Sequence, residues 1–76
     1  MIELLQQLYT LYIEEDYLTA LGLIREDITE CLNNDPGVSP HLAHFVGQII
    51  DGCEIEDWDE VLRLVGTTED VLASLN

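Results

Sequence analysis

Most side chains in this sequence that could do chemistry are carboxylates, and their densest run lies between residues 51 and 60. It consists of Asp51, Glu54, Glu56, Asp57, Asp59 and Glu60. A calcium loop of the EF-hand type needs oxygen ligands at alternate positions, a central glycine and a closing glutamate. A loop starting at Asp51 would place Cys53 and Ile55 at ligand positions. A loop starting at Asp57 would contain no glycine. We therefore predict no calcium site.

The two histidines, His41 and His44, are three residues apart on one predicted helix face, and Asp51 follows on the same face. This spacing could bring two imidazoles to one zinc ion. Histidines on a solvated helix face more often only contact water. We therefore expect no metal and no other cofactor.

Nucleophilic catalysis needs a serine or cysteine that a base activates within a cleft. Ser39 is better explained as a helix cap, and Ser74 lies near the C-terminus. Cys31 and Cys53 lack the C-x-x-C spacing and are predicted to be reduced, with at least one filling the core. The sequence has no glycine-rich phosphate loop, so we predict no catalytic residues and no enzyme activity.

The charge of the chain is strongly unbalanced. There are 16 aspartate and glutamate residues against two arginines and no lysine, and the net charge is -14. Such a surface repels nucleic acid and anionic membranes and attracts positively charged proteins. Acidity that serves only solubility is the alternative. We expect the partner to be a basic protein that handles nucleic acid.

Three acidic clusters are the candidate partner-binding residues. They are Glu14, Glu15 and Asp16; Glu26, Asp27 and Glu30; and Asp51, Glu54, Glu56 and Asp57. In an α-helix, with a rise of about 1.5 Å per residue, Glu26 and Glu30 are about 6 Å apart along the axis. That spacing is comparable with the phosphates of a nucleic-acid strand, about 3.4 Å apart. We expect Arg63 to relieve the charges of Asp59 and Glu60, which precede it by four and three residues on one helix. We expect Arg25 to reach Glu14 or Glu15 of the first cluster.

The hydrophobic periodicity predicts an all-α fold, a small single-domain bundle of four to five short helices over residues 1–76. A first helix spans residues 2–14, and a second, capped by Asp16, extends to about residue 32. A single bent helix over residues 2–32 is the alternative. No apolar run approaches the roughly 20 residues that a membrane span needs. The first residues also lack the basic start of a signal peptide, so we expect a cytoplasmic protein.

Turn and cap residues predict the remaining helices. We expect a type II turn with Gly37 at its positive-φ position, then a helix capped by Ser39 and ended by Gly52. Asp57 paired with Glu60 predicts a fourth helix. That helix ends at Gly66, and Thr67 or Thr68 caps a short last one.

The first helix is apolar around most of its circumference. A helix of this kind lies either at the centre of a fold or in an interface between chains. The possible oligomer interface consists of Leu4, Leu8, Leu11 and Tyr12. If this interface exists, the protein forms a homodimer.

The stretch from Glu15 to Ile24, including Tyr17 and Ala20, resembles part of a tetratricopeptide unit, a helical hairpin of about 34 residues. Leu8 and Asp27 depart from the small residues of that pattern. The resemblance implies a helical hairpin and no function. No second copy follows, and we predict a chain without internal repeats.

Three functions fit these observations. The first is a non-catalytic acidic inhibitor that blocks a basic, nucleic-acid-binding protein. Phage anti-defence proteins, including anti-CRISPR proteins and DNA mimics, share this short and acidic profile, and such a protein would act in the host-cell cytoplasm. The second is an immunity protein or antitoxin that neutralises a nuclease toxin. The third is a helical adaptor or structural subunit that associates through its apolar first helix.

Overall fold

The computed structural model describes residues 1–75, and within that range it is an all-α bundle. Its elements are α1 (Ile2–Ile13), α2 (Tyr17–Leu23), a π-helical turn (Ile24–Ile28), α3 (Thr29–Asn34), α4 (Pro40–Glu54), α5 (Trp58–Gly66) and α6 (Thr68–Ala73). Because α2, the π-helical turn and α3 follow one another without a break, they form one helical rod over residues 17–34. The predicted fold class, a small single-domain helical bundle, is confirmed.

Helix α1 lies at the centre of the bundle. It packs against α2, the π-helical turn, α5 and α6. Leu5 and Leu8 are fully buried, and Leu4, Leu11 and Tyr12 pack against the core with part of their surface exposed. Contacts within its own chain therefore account for part of the apolar circumference of α1, whereas Ile2 and Ile13 remain exposed.

The turn between α1 and α2 ends one helix and begins the next within three residues. The N–H of Asp16 donates to the carbonyl of Leu11 at 2.9 Å, and that of Glu15 to Tyr12 at 3.1 Å. This is the Schellman pattern, in which glycine usually takes the left-handed position. Here Glu15 takes it, with a φ of 60°. Asp16 then caps α2 as predicted, because its carboxylate accepts the N–H of Thr19 at 3.4 Å.

The turn between α4 and α5 has the same geometry. The N–H of Asp57 donates to the carbonyl of Gly52 at 2.9 Å, and that of Glu56 to Cys53 at 3.3 Å. Glu56 has a φ of 58°. The predicted cap at Asp57 is confirmed, because its carboxylate accepts the N–H of Glu60 at 3.4 Å.

Two glycines differ from the prediction. Gly52 does not end α4, which continues to Glu54. A Cβ at Gly52 would lie 2.8 Å from a methyl group of Val61, so glycine is needed there for the close approach of α4 and α5. Gly37 does not have a positive φ, so the predicted type II turn is wrong. The carboxylate of Asp35 accepts the N–H of Gly37 at 2.9 Å instead and sets the course of this loop.

The cap residues of the other helices are partly as predicted. Ser39 caps α4 by accepting the N–H of Leu42 at 3.2 Å, as expected. Thr67 occupies the N-cap position of α6 but makes no side-chain cap bond. Its hydroxyl donates back to α5, and so does the hydroxyl of the fully buried Thr68.

Thr29 accounts for the π-helical turn. Its N–H and its hydroxyl both reach the carbonyl of Ile24, five residues earlier, and the hydroxyl bond measures 2.7 Å. Hydrogen bonds between residues five apart define the π-helix. Ile24 and Ile28 are both buried at the ends of this turn, while Glu26 and Asp27 between them are exposed.

The two hairpin turns open a short repeat, so the prediction of a chain without internal repeats is wrong at this scale. The first copy spans residues 15–24 and the second residues 56–65. Each begins with glutamate, aspartate and an aromatic residue and continues with apolar residues at helical spacing. The matching pairs are Glu15 and Glu56, Asp16 and Asp57, Tyr17 and Trp58, Ala20 and Val61, Leu21 and Leu62, Leu23 and Leu64, and Ile24 and Val65.

Candidate protein-binding surface

All the acidic residues singled out from the sequence are exposed. They are Glu14, Glu15, Asp16, Glu26, Asp27, Glu30, Asp51, Glu54, Glu56 and Asp57. The structure brings the second cluster together with two carboxylates that the sequence did not single out, Glu3 and Asp35.

Three adjoining depressions define this combined surface. The first, between α1 and α2, is lined by Glu3, Glu26 and Asp27. The second is lined by Asp27, Glu30 and Asp35. The third is lined by Glu3 and Asp35. Since each depression shares a carboxylate with each of the others, the five residues form one continuous surface, which we call the acidic face.

Neither arginine lines the three depressions of the acidic face. Arg63 forms the only salt bridge within residues 1–75, with Glu60, as predicted. Arg25 does not reach the first cluster. Its guanidinium lies 5.8 Å from the ring centre of Trp58, and it lines a groove with Glu54 and Glu56. The third acidic cluster therefore has a cation beside it, whereas no arginine among the described residues lines the three depressions of the acidic face.

Two groups with a shifted pKa, Glu60 and Cys53, each lie beside an arginine. The hydrogen bond from Arg63 lowers the pKa of Glu60 below its ordinary value. In the groove that Arg25 lines, burial raises the pKa of the Cys53 thiol, and the charge of Arg25 opposes part of that increase. Cys53 is buried, as predicted for at least one cysteine, and its neutral thiol is a poor nucleophile.

No family model, curated protein or solved structure is significantly similar to this chain. The function must therefore be inferred from the surface of the molecule itself.

The first acidic cluster is separate from the acidic face. Glu14, Glu15 and Asp16 belong to the turn before α2 and line none of its three depressions. Glu56 and Asp57 occupy the equivalent turn before α5. The structure thus divides the predicted acidic site into the acidic face, the two acidic turns, and Asp51 and Glu54 at the end of α4.

The predicted oligomer interface on α1 does not form one exposed surface. Leu8 is fully buried in its own chain, and Leu4, Leu11 and Tyr12 are partly covered by the core. Leu8 therefore cannot contact a second chain in this fold, and the oligomer interface on α1 stays a prediction. The large apolar residues that are most exposed are Ile13, the last residue of α1, together with Leu18 and Ile55.

Residues 1–75 contain neither a candidate metal cluster nor a candidate membrane-spanning helix. Within residues 1–75, no group of three or more His, Cys, Asp and Glu residues is placed to hold a metal ion. His41 and His44 are both exposed, and the ring of His41 lies 3.4 Å from the hydroxyl of Ser74. None of the helices over this range is long and apolar enough to cross a membrane.

Proposed function

We propose that this protein is a non-catalytic inhibitor whose acidic face occupies the nucleic-acid-binding site of a basic protein. One observation supports this most directly. Five carboxylates form a continuous surface between α1, the π-helical turn and α3, and no arginine lines it within the described chain. A surface that served only solubility would be expected to have its charges scattered, with both signs interspersed.

The physical basis of binding is electrostatic. A protein that binds nucleic acid presents lysine and arginine side chains to a row of phosphates. Carboxylates on a continuous surface can take the place of those phosphates. With a net charge of -14, long-range attraction would also speed the encounter with a basic partner.

The π-helical turn gives further support. Such turns inside α-helices occur frequently at functional sites, and this one carries Glu26 and Asp27 to the surface. The spacing of about 6 Å between Glu26 and Glu30 assumed a regular α-helix. The π-helical turn alters that spacing, so the match to phosphates depends on the whole acidic face.

The experiment is capture of partners from a lysate of the source organism at about 50 mM and about 500 mM salt. We expect a nucleic-acid-handling protein to bind at low salt and dissociate at high salt, because each released counterion makes binding salt-sensitive. A triple variant, Glu26→Gln, Asp27→Asn and Glu30→Gln, should weaken capture at low salt by about tenfold or more.

A matched variant separates the acidic face from net charge. Asp59→Asn, Glu69→Gln and Asp70→Asn remove the same number of charges from exposed positions outside every predicted partner-binding cluster. This control should keep the affinity within about threefold. Equal loss in both variants would show that only total charge matters, and salt-insensitive capture would contradict the proposal outright.

The remaining candidate functions are distinguished by the same experiment. A captured nuclease toxin would favour an immunity protein or antitoxin, and that partner could use the same acidic face. The adaptor hypothesis depends on the apolar α1, where Leu8 is buried in the bundle while Ile2 and Ile13 are exposed. Salt-insensitive capture of a protein that does not handle nucleic acid would favour it.

A further inference from the structure

A small apolar cleft lies between α2 and α5. It shares no lining residue with the three depressions of the acidic face. It encloses about 90 Å³. The repeat supplies nearly all of its lining, because both copies contribute the same positions to it. The lining residues are Tyr17, Ala20, Leu21 and Ile24 from the first copy, Trp58, Val61, Leu62 and Val65 from the second, and Tyr12 from α1.

The two copies of the repeat face each other across the cleft, and their chains run in opposite directions. Trp58, at the start of α5, lies under the guanidinium of Arg25, beyond the end of α2. Tyr17, at the start of α2, lies 6.4 Å from Tyr12 between ring centres. The Tyr12 hydroxyl is 3.0 Å from the Cβ position of Gly66, the last residue of α5. The two copies therefore run antiparallel along the cleft, with Trp58 near one end and Tyr17 and Tyr12 near the other.

Each aromatic ring is partly exposed and follows an acidic turn. Tyr17 is 40% exposed and comes directly after Glu15 and Asp16. Trp58 is 38% exposed and comes directly after Glu56 and Asp57. An acidic turn therefore adjoins each end of this apolar cleft, and at the Trp58 end Arg25 lies beside it.

We propose that this cleft binds one bulky apolar side chain, such as leucine, from a partner protein segment with basic residues on both sides. A cavity of about 150 Å³ admits a benzene molecule, so this smaller cleft suits a single side chain. The flanking carboxylates would pair with the basic residues. This site does not depend on the acidic face, so the two proposals can fail independently.

The charge pattern selects this occupant over a second copy of the chain. The chain has no lysine, and its two arginines, Arg25 and Arg63, are far apart in the sequence. It therefore contains no apolar residue with basic residues on both sides. An uncharged apolar small molecule would make no use of the carboxylates at the two ends.

The test uses two synthetic peptides, one with a single leucine between paired lysines and one with alanine in its place. Binding is measured by the fluorescence of Trp58, the only tryptophan, and by NMR shifts of the cleft methyl groups. The leucine peptide should bind about tenfold more tightly, because apolar burial scales with the area removed from water. Its shifts should be confined to Leu21, Leu62 and Val65.

Matched variants test the cleft and its charges separately. Tyr17→Ala should weaken the leucine peptide about fivefold or more, whereas Leu18→Ala should not, because Leu18 is 85% exposed and does not line the cleft. The double variant Glu15→Gln and Glu56→Gln should reduce binding of both peptides. Glu26→Gln with Glu30→Gln should leave it within about twofold.

Thermal unfolding of each variant checks that the fold is kept. If Tyr17→Ala unfolds, the charge variants and the peptide pair still decide the question. Equal affinity for the leucine and alanine peptides, or shifts centred on the acidic face, would overturn the proposal.

Discussion

The turn before α2 and the turn before α5 share a backbone but carry different surfaces. Their left-handed glutamates have φ values of 60° and 58°, and in each turn an aspartate caps the next helix. After the first turn come the exposed Leu18 and Thr19. After the second come Asp59 and Glu60, and Glu60 is bonded to Arg63. The shared residues build the turn, so the differing residues are free to determine what each surface binds.

One difference lies inside the turns. The carbonyl that accepts the aspartate N–H belongs to Leu11 in the first turn and to Gly52 in the second. Only the second turn needs glycine, because α4 and α5 approach closely at Val61. The same hydrogen bond can therefore form at leucine or at glycine, and the packing of α5 against α4 is what requires glycine in the second turn.

The largest change in stability is expected at Gly52, the glycine that only the second turn needs. Gly52→Ala places a methyl group against Val61 and should lower the free energy of unfolding by about 1–3 kcal/mol, the usual cost of overpacking a core. Urea denaturation measures it. Gly47→Ala is the control in the same helix, since a Cβ there meets nothing within 4 Å. It should raise stability by up to about 1 kcal/mol. Equal effects at both glycines would contradict the packing argument.

The two N-cap aspartates, Asp16 and Asp57, should contribute equally to the free energy of unfolding. Asp16→Ala and Asp57→Ala should each lower the free energy of unfolding by about 1 kcal/mol, because each carboxylate accepts an N–H at the start of its helix. Asp16→Asn and Asp57→Asn, which keep an acceptor oxygen, should restore most of that loss. A cap that can be removed without effect in one turn would show that the two turns are not energetically alike.

Replacing either left-handed glutamate with glycine should also have the same effect in both turns. Unlike removal of a cap, it should raise the free energy of unfolding. Glu15→Gly and Glu56→Gly should each stabilise the protein by a few tenths up to about 1 kcal/mol, because glycine adopts positive φ without the Cβ penalty. Glu14→Gly is the control, since Glu14 has a helical φ of -76°. It should be neutral or destabilising. Thermal unfolding of the three variants distinguishes backbone strain from loss of charge.

The smallest expected effect concerns the salt bridge between Glu60 and Arg63, which only the helix after the second turn has. Arg63 lowers the pKa of Glu60 from its ordinary value of 4.5. The pair therefore contributes stability above about that pH, and the contribution is lost as the pH falls through the lowered pKa. Arg63→Gln should return the pKa of Glu60 toward its ordinary value in an NMR titration. An unchanged pKa would show that Arg63 does not act on Glu60 in solution.

The sequence predicted most of the fold and only part of the site. Periodicity and cap chemistry identified the helices and the caps Asp16, Ser39 and Asp57, because these depend on neighbouring residues. The left-handed positions were missed, since glycine is the usual signal and glutamate occupies both. The acidic face could not be predicted either, because Glu3 and Asp35 join it only through the packing of α1 beside α2 and the loop before α4. The recurring glutamate, aspartate and aromatic triplet was the one available signal for the cleft.

The most direct test of the central claim is displacement. The captured partner is first saturated with labelled nucleic acid, and this protein is then titrated in at low salt. We predict release of the nucleic acid, with the acidic-face variant Glu26→Gln, Asp27→Asn and Glu30→Gln at least about tenfold less effective than its matched control. A ternary complex that keeps the nucleic acid bound, or equal displacement by the two variants, would contradict the account.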